Sequence, residues 1–215
     1  MISLPAEGSC AGITPCYEAA VPANGTVKRN IQDMRCTELC RASAIRPATA
    51  EESQPQASAG RGLIYIAQCS LGRGVFAGRA IRRGEVILAF TGALIDFAET
   101  KRRGPRECMA IQVGPNQYID TQPPGVFANH SCAPNAGIRN DRDLVALRDI
   151  PKDEEIRYDY STTMDEKSFT MSCRCGAPGC RQVVGDFTEL PAPIRDYYLS
   201  RGLVMSFIAR RLARV

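Results

Sequence analysis

The strongest constraint on the fold is a series of short apolar segments that begins after Arg61. Each segment spans five to eleven residues, is rich in Val, Ile, Tyr and Phe, and is bounded by Gly, Pro, Asn or Asp. This pattern is typical of β-strands separated by turns. Long helices do not alternate with these segments, which argues against a doubly wound parallel sheet. The sequence therefore predicts a mainly β domain of several small sheets, built from GLIYIAQC, GVFAGRAI, EVILAFTGALI, MAIQVG, NQYID, DLVALRDI and EIRYDY.

The segments on either side of this β-rich body differ from it in composition. Residues 1–60 are rich in Ala, Ser, Pro, Gln and Gly, which predicts a flexible or accessory segment. Near the other end, PAPIRDYYLSRG predicts a short helix that ends at Gly202, and LVMSFIARRLARV predicts a second helix with one apolar stripe. We therefore divide the rest of the chain into a β domain at 61–162, a cysteine-containing segment at 163–185 and a helical tail at 186–215.

Composition narrows the class of protein. The 215 residues carry a net charge of only +4, so the composition does not require a nucleic-acid partner, and none is predicted. No apolar run approaches the roughly 20 residues needed to cross a bilayer. The first residues lack the basic start of a secretory signal. The sequence predicts a soluble protein without a membrane partner.

Ten cysteines are many for this length, and they have two explanations: disulfides in an oxidising compartment, or metal ligation in a reducing one. The lack of a secretory signal favours metal. In CRCGAPGCR, Cys173, Cys175 and Cys180 can wrap a tetrahedral ion, because the glycines between them permit a tight turn. Cys132, near the histidine, is the obvious distant thiol for a fourth ligand.

Four further cysteines lie at irregular distances in residues 1–60: Cys10, Cys16, Cys36 and Cys40. A second metal site is one interpretation of these thiols. A disordered or transit-like leader explains the surrounding composition more simply.

The only histidine, His130, lies in the stretch NHSC, where it could be a metal ligand, a general base or a hydrogen-bonding strut. Two tyrosines, Tyr158 and Tyr160, alternate along the predicted strand EIRYDY and would face the same side, because side chains of a strand repeat with period two. They could line one wall of a narrow slot. An ordinary aromatic face packed on the core is the other interpretation.

Taken in order, the segments GRGVFA, YIDT, NHSCAPN, EEIRYDY and CRCGAPGC resemble the SET-domain protein lysine methyltransferases, in particular small stand-alone SET proteins with a zinc-binding post-SET segment. The resemblance covers about residues 62 to 182. It implies a SET fold of small sheets with a knot-like core, and it implies S-adenosylmethionine as cofactor and zinc as a structural ion. The implied activity is methyl transfer to a protein lysine.

The resemblance also implies roles for individual residues. Tyr160 matches the catalytic tyrosine, and a phenol at Tyr158 limits the room for further methyl groups, which suggests mono- or dimethylation. Arg174 matches a residue that covers the adenine. The implied cofactor-binding residues are Leu71, Arg73, Asn129, His130 and Arg174, and the implied zinc ligands are Cys132, Cys173, Cys175 and Cys180.

Some positions depart from the family pattern. Ala89 and Phe90 stand where Glu-Tyr is common, Cys108 stands near a usual tyrosine, and Val126 replaces a common arginine. A catalytically silent SET fold that serves as a zinc-stabilised binding module is therefore the alternative function. The expected partner is a protein or peptide lysine, a histone being the family's example. Thiolate-bound zinc predicts a reducing compartment, cytoplasmic or nuclear.

Overall fold

The computed structural model describes residues 29–30 and 62–214, and short strands dominate this part of the chain. The predicted flexible segment, with its candidate second metal site, lies outside the described residues except for 29–30. The strands are β1 (Arg29–Asn30), β2 (Ile64–Cys69), β3 (Gly72–Ala77), β4 (Val86–Ala89), β5 (Gly92–Ile95), β6 (Ala110–Gly114), β7 (Gln117–Thr121), β8 (Asn129–His130), β9 (Ala136–Arg139), β10 (Asp143–Ala146), β11 (Glu155–Tyr158), β12 (Phe169–Ser172) and β13 (Val183–Val184).

The helices are short and lie between the strands or after the last strand of the chain. The α-helices are α1 (Phe97–Arg102), α2 (Ala192–Ser200) and α3 (Ser206–Leu212), and the 3-10 turns are Gly104–Met109, Gly125–Phe127, Tyr160–Thr163 and Phe187–Glu189. Within residues 29–30 and 62–214, no helix combines the length and the apolar character needed to span a lipid bilayer.

The strands form four small sheets. One has four strands in the order β2-β3-β11-β8, and the others have three strands each, in the orders β1-β12-β13, β4-β10-β9 and β5-β7-β6. The prediction of a mainly β fold with several small sheets and helices near the end of the chain is therefore confirmed.

The hairpin of β2 and β3 contains Gly72, Arg73 and Gly74, the Gly-x-Gly stretch at the start of GRGVFA. It brings this stretch to the centre of the largest sheet. The two strands pair in register from Ile64 opposite Ala77 to Cys69 opposite Gly72. Only two residues separate the strands, and Gly72 takes a φ of +107°, a conformation that glycine adopts without strain. This tight turn leaves β3 free to pair on its other edge with β11.

Strand β11 joins the hairpin to the histidine strand. It runs antiparallel to β3, with Ile156 opposite Val75, and parallel to β8, with Tyr158 opposite His130. Ile156 and Val75 are fully buried. Because parallel neighbours need a long connection, β8 lies beside a strand formed much later in the chain. His130 and Tyr158 are thus neighbours in the sheet.

The end of the chain packs on this core. Helix α2 places Tyr198 in the core, and α3 buries Phe207 and Ile208. Gly202, with a φ of +59°, lies between the helices at the predicted end of the first one. The second helix begins three residues later than its predicted stretch because residues 203–205 form an irregular, buried segment.

One local prediction is wrong. Strand β11 ends at Tyr158, so Tyr160 lies in a 3-10 turn and does not share a strand with Tyr158. The reason is Asp159, whose carboxylate accepts a hydrogen bond from the Ser161 N–H at 3.2 Å and caps the turn. An aspartate that bonds its own backbone two residues on competes with strand pairing.

Candidate functional site

The two tyrosines come together despite the turn between them. The ring centroids of Tyr158 and Tyr160 lie 4.9 Å apart, with an interplanar angle of 48°. The Tyr160 hydroxyl donates to the Ala128 carbonyl at 2.9 Å, which fixes the position of its oxygen. Phe90 packs behind Tyr158, with the centroids of the two rings 5.5 Å apart. The two phenols therefore form one wall, as the slot interpretation predicts.

This wall faces a cavity of about 720 Å³, part of which is open to solvent. Its other walls come from the segment before β6, from the turn before β8 and from the turn after Tyr160. Two positions that depart from the family pattern, Cys108 and Val126, line the cavity, so they bear on what enters it.

The Tyr158 phenol is held more firmly in its protonated form than an exposed phenol is. Burial raises the pKa of its phenol well above the ordinary value, and the nearby Asp159 carboxylate adds to the rise. The hydroxyl therefore stays protonated at neutral pH and is a hydrogen-bond donor to whatever occupies the cavity.

Asn129 ties the Gly-x-Gly hairpin to the centre of the sheet. Its amide nitrogen lies 3.0 Å from the Arg73 carbonyl, 2.8 Å from Glu155 Oε1 and 3.4 Å from Cys69 Sγ. Both amide N–H groups are thus used within the protein. A cofactor contact by the Asn129 side chain would have to use its carbonyl oxygen.

Arg73 has unused hydrogen-bonding capacity. Its guanidinium lies 3.8 Å from the centroid of the Phe127 ring, and its Nε is buried without a hydrogen-bond partner among the described residues. A buried donor without a partner is costly unless a ligand satisfies it. An anionic or acceptor group of a ligand would do so, in addition to the predicted cofactor contact of Arg73, which is largely through its backbone and stays a prediction.

The other two predicted cofactor residues are less confined. Leu71 lies in the tight turn, and its backbone N–H donates to the sulfur of Cys69. Arg174 is exposed between two buried cysteines. Neither side chain is held in place by the core, so the structure leaves their cofactor roles as predictions.

The predicted metal ligands converge from distant segments. The sulfur atoms of Cys132 and Cys173 are 3.7 Å apart, and the Cys132 N–H lies 3.5 Å from the Cys175 sulfur. Ligand atoms of His130, Cys132, Cys173 and Cys175 all lie within 4.8 Å of one another and could hold a metal ion. Cys180 lies outside that group, but its thiol interacts with those of Cys173 and Cys175.

The thiols of this cluster differ in acidity. Burial raises the pKa of the Cys173 thiol. Burial also raises that of Cys175, but the N–H groups of Cys132 and Ala177 and the thiols of Cys173 and Cys180 together outweigh it, and the pKa falls to about 6. None of the six cysteines in residues 62–214 forms a disulfide. Clustered thiols with one readily ionised member fit a tetrahedral thiolate site for zinc.

His130 is oriented by its neighbours. Its Nδ1 accepts a hydrogen bond from the Tyr160 N–H at 3.2 Å, and its Nε2 lies 3.3 Å from the Cys132 sulfur. Burial lowers the pKa of the ring to about 4, so the imidazole is neutral at pH 7. Since Nδ1 is the acceptor, Nε2 carries the proton and donates to the sulfur. His130 is therefore better suited to orienting Cys132 than to ligating the metal, as second-layer groups do in thiolate sites.

A buried network beside the tyrosines was missed at the level of sequence. Arg181 donates to the Asp159 carboxylate through two nitrogens, at 2.7 and 2.9 Å. The Tyr198 hydroxyl donates to the same carboxylate at 3.1 Å. The available signals were an acidic residue between the two tyrosines and an arginine directly after the last clustered cysteine.

Comparison with known proteins gives a family match for the centre of the chain. Residues 72–161 match the family described as SET domain. The chain is 30% identical over 142 residues to the histone-lysine N-methyltransferase trr of Drosophila melanogaster, covering 57% of this chain and 6% of that protein. It is 33% identical over 134 residues to the histone H3-lysine(4) N-trimethyltransferase ATX1 of Arabidopsis thaliana, covering 54% and 12%.

One match extends further along the chain. The histone-lysine N-methyltransferase ASHH3 of Arabidopsis thaliana is 30% identical over 170 residues, which cover 71% of this chain and 45% of that protein. Among solved structures, Arabidopsis thaliana SUVH6 in complex with SAM matches with 26% identity and a TM-score of 0.48, covering 57% of this chain and 33% of that one. The chain thus spans less than half the length of each of these proteins.

Proposed function

We propose, on the premise that this chain contains a SET domain over residues 72–161, that it transfers a methyl group from S-adenosylmethionine to the amine of a protein lysine. The observation that carries this proposal is the wall formed by Tyr158 and Tyr160 beside an open cavity. The two tyrosines lie directly next to the Asn129–His130 strand, and the unpartnered Nε of Arg73 lies on the hairpin that Asn129 holds. The names of the similar proteins support a lysine substrate.

When bound, S-adenosylmethionine supplies an electrophilic methyl group on a cationic sulfur. The protein's own task is to present a neutral amine in line with that methyl. Free lysine has a pKa of about 10.4. A buried channel and a nearby cation both disfavour the ammonium form, so the amine loses its proton without a dedicated base. We therefore assign His130 no general-base role, in keeping with its burial and its contact with Cys132.

The tyrosine hydroxyls provide alignment. Tyr160 is anchored through the Ala128 carbonyl, which accepts its hydroxyl proton and fixes the oxygen at the wall of the cavity. Tyr158 is a donor because a phenol is protonated at neutral pH, and burial raises its pKa further above the ordinary value. A phenol that bonds the amine or a water beside it takes up the room needed by further methyl groups, which supports a mono- or dimethylated product. Positioned dipoles of this kind act mainly by orientation and charge stabilisation.

Zinc has a structural role in this proposal. Cys132, Cys173, Cys175 and Cys180 would hold it, and the ion would fasten residues after 172 to the segment that follows β8. No step of the reaction passes through it. Histones are the proposed substrate class because the similar proteins carry that name, and a thiolate site supports a reducing compartment, cytoplasmic or nuclear.

The test is transfer of labelled methyl from S-adenosylmethionine to histones and to whole-cell lysate. We expect label on lysine with the wild-type chain and a loss of at least about hundredfold in Tyr160→Phe, since one positioned hydroxyl is removed. Cofactor affinity should stay near wild type. Tyr197→Phe is the matched control, because Tyr197 is 38% exposed and lies on α2, outside the cavity.

The outcomes separate the alternatives. Undiminished turnover in Tyr160→Phe would refute the assignment of that residue. A wild-type chain that binds S-adenosylmethionine but labels neither histones nor lysate would favour the silent binding module.

A further inference from the structure

We infer that Asp159 is a positioning residue, which holds the two tyrosines of the cavity by joining their turn to the cysteine segment and to the C-terminal helix α2. The inference rests on the proposed function, since it concerns how the methyl-transfer site is kept in shape. Asp159 lies between Tyr158 and Tyr160 in the chain, so any movement of its backbone moves both rings.

Asp159 is fully enclosed and fully bonded. Asp159 is 1% exposed, and its carboxylate accepts hydrogen bonds from three different residues. The Ser161 N–H donates from the turn itself, the Arg181 guanidinium donates twice, and the Tyr198 hydroxyl donates once. A buried charge bonded in this way has one geometry, because each lost donor leaves an uncompensated buried carboxylate.

Arg181 connects this carboxylate to the metal cluster. It follows Cys180 directly, and its backbone N–H lies 3.4 Å from the Cys132 sulfur. Its side chain is largely buried and reaches the Asp159 carboxylate. The backbone of Arg181 is therefore positioned by the cysteine cluster, and its guanidinium positions the Asp159 carboxylate.

Tyr198 connects the carboxylate to the end of the chain. It is 3% exposed and lies in α2, where its ring contacts Phe187 at a centroid distance of 6.4 Å. Its hydroxyl bond to Asp159 spans 39 residues of sequence. The tail is thus joined to the cavity wall by a specific polar contact in addition to apolar packing.

The turn has a second anchor that responds to the same network. The Tyr160 N–H donates to His130 Nδ1, and Asp159 Oδ1 lies 3.7 Å from that nitrogen. The Asp159 carboxylate therefore lies directly beside the anchor of Tyr160. A shift of Asp159 would disturb the anchor of Tyr160 as well as its own cap.

The test uses Tyr198→Phe, which removes one hydroxyl and keeps the ring in the core. Tyr197→Phe on the same helix is the matched control. In Tyr198→Phe we expect turnover to fall about tenfold, since small misplacements of reacting groups have effects of this order. The KM values for S-adenosylmethionine and for the substrate should change less than about twofold, because no binding group is removed.

Two further readouts distinguish positioning from a general loss of stability. At equal conversion of substrate, the ratio of mono- to dimethylated product should change in Tyr198→Phe, since at equal conversion this ratio does not depend on the fraction of folded protein. Hydrogen exchange of residues 159–163, followed by mass spectrometry, should be about tenfold faster than in Tyr197→Phe, whereas exchange in β2 and β3 should be equal.

The results decide between two failures. An active wild-type chain whose Tyr198→Phe variant keeps its turnover, its product ratio and its hydrogen exchange would overturn the inference and leave the proposed function standing. A wild-type chain that binds cofactor without transferring label would refute the proposed function itself. Arg181→Lys, which keeps the charge but not the two-pronged contact, should lie between wild type and Arg181→Met in turnover.

Discussion

Substitution of Gly74 by alanine should damage the hairpin that holds the predicted cofactor residues. A Cβ at this position would lie 2.6 Å from Glu155 Oε1 and 3.3 Å from the Asn129 amide nitrogen. The backbone of Gly74 needs no left-handed conformation, so the effect comes from the clash alone. The carboxylate cannot move aside freely, because Glu155 has a side chain only 8% exposed and is paired with Arg157.

The expected magnitude follows from two terms. Overpacking of a filled site costs about 1–3 kcal/mol. Displacement of Glu155 also strains its bond to Asn129, and a hydrogen bond to a charged group contributes about 1.5–3 kcal/mol. Since the backbone can relax and part of the second term survives, we expect a loss of about 2 kcal/mol in the free energy of unfolding. Cofactor affinity should fall as well, because Asn129 would release the Arg73 carbonyl.

Urea unfolding followed by circular dichroism measures the first effect, and calorimetric titration with S-adenosylmethionine measures the second. Gly179→Ala is the matched control: nothing lies within 4 Å of its added Cβ, and its φ is ordinary. In a Glu155→Ala background the clash is removed, so the cost of Gly74→Ala should fall below about 0.5 kcal/mol. A cost that equals the control, or that persists without the Glu155 carboxylate, would refute the reasoning.

Two further substitutions probe the core and the cysteine cluster. Phe187→Ala removes a fully buried ring and should cost about 3–5 kcal/mol in urea unfolding, whereas Val183→Ala, at a side chain 53% exposed, should stay within about 0.5 kcal/mol of wild type. Cys175→Ser should lower the zinc content of the purified protein and speed proteolysis after residue 165, whereas Cys69→Ser, outside the cluster, should keep full zinc. Equal zinc in both variants would contradict the thiolate site.

The sheets could be predicted from sequence because their signals are local. The stretches GLIYIAQC and EIRYDY are β-branched, aromatic and bounded by turn residues, and they form β2 and β11. The same rule placed Tyr160 on a strand, and there it failed. Capping by Asp159 is also a local effect, but alternation of side chains does not reveal it.

The cysteine cluster could be predicted only in part. The spacing of Cys173, Cys175 and Cys180 indicates a metal site, and the structure brings Cys132 to it. Sequence spacing does not show that His130 lies against the Cys132 sulfur and donates to it, because that depends on the Tyr160 N–H at the other ring nitrogen.

The network at Asp159 was beyond sequence reasoning for a physical reason. Its partners Arg181 and Tyr198 lie 22 and 39 residues away, so no periodic pattern links them. Each is unremarkable in its own segment: an arginine after a cysteine and a tyrosine in a helix. Only the packing of the tail on the core shows that the Asp159 carboxylate accepts hydrogen bonds from both residues.

The order of synthesis delays the completion of the hydrogen bonds to Asp159. Tyr158 and Tyr160 leave the ribosome before either distant donor of Asp159 has emerged, and the last donor, Tyr198, is made 38 residues after Tyr160. At about 5–20 residues per second, the turn waits about 2–8 seconds for its final contact. A nascent chain therefore holds both tyrosines while the carboxylate between them is still incompletely bonded. On the proposed function, a product shortened before Tyr198 lacks this bond, and we expect it to transfer methyl groups more slowly than the full chain.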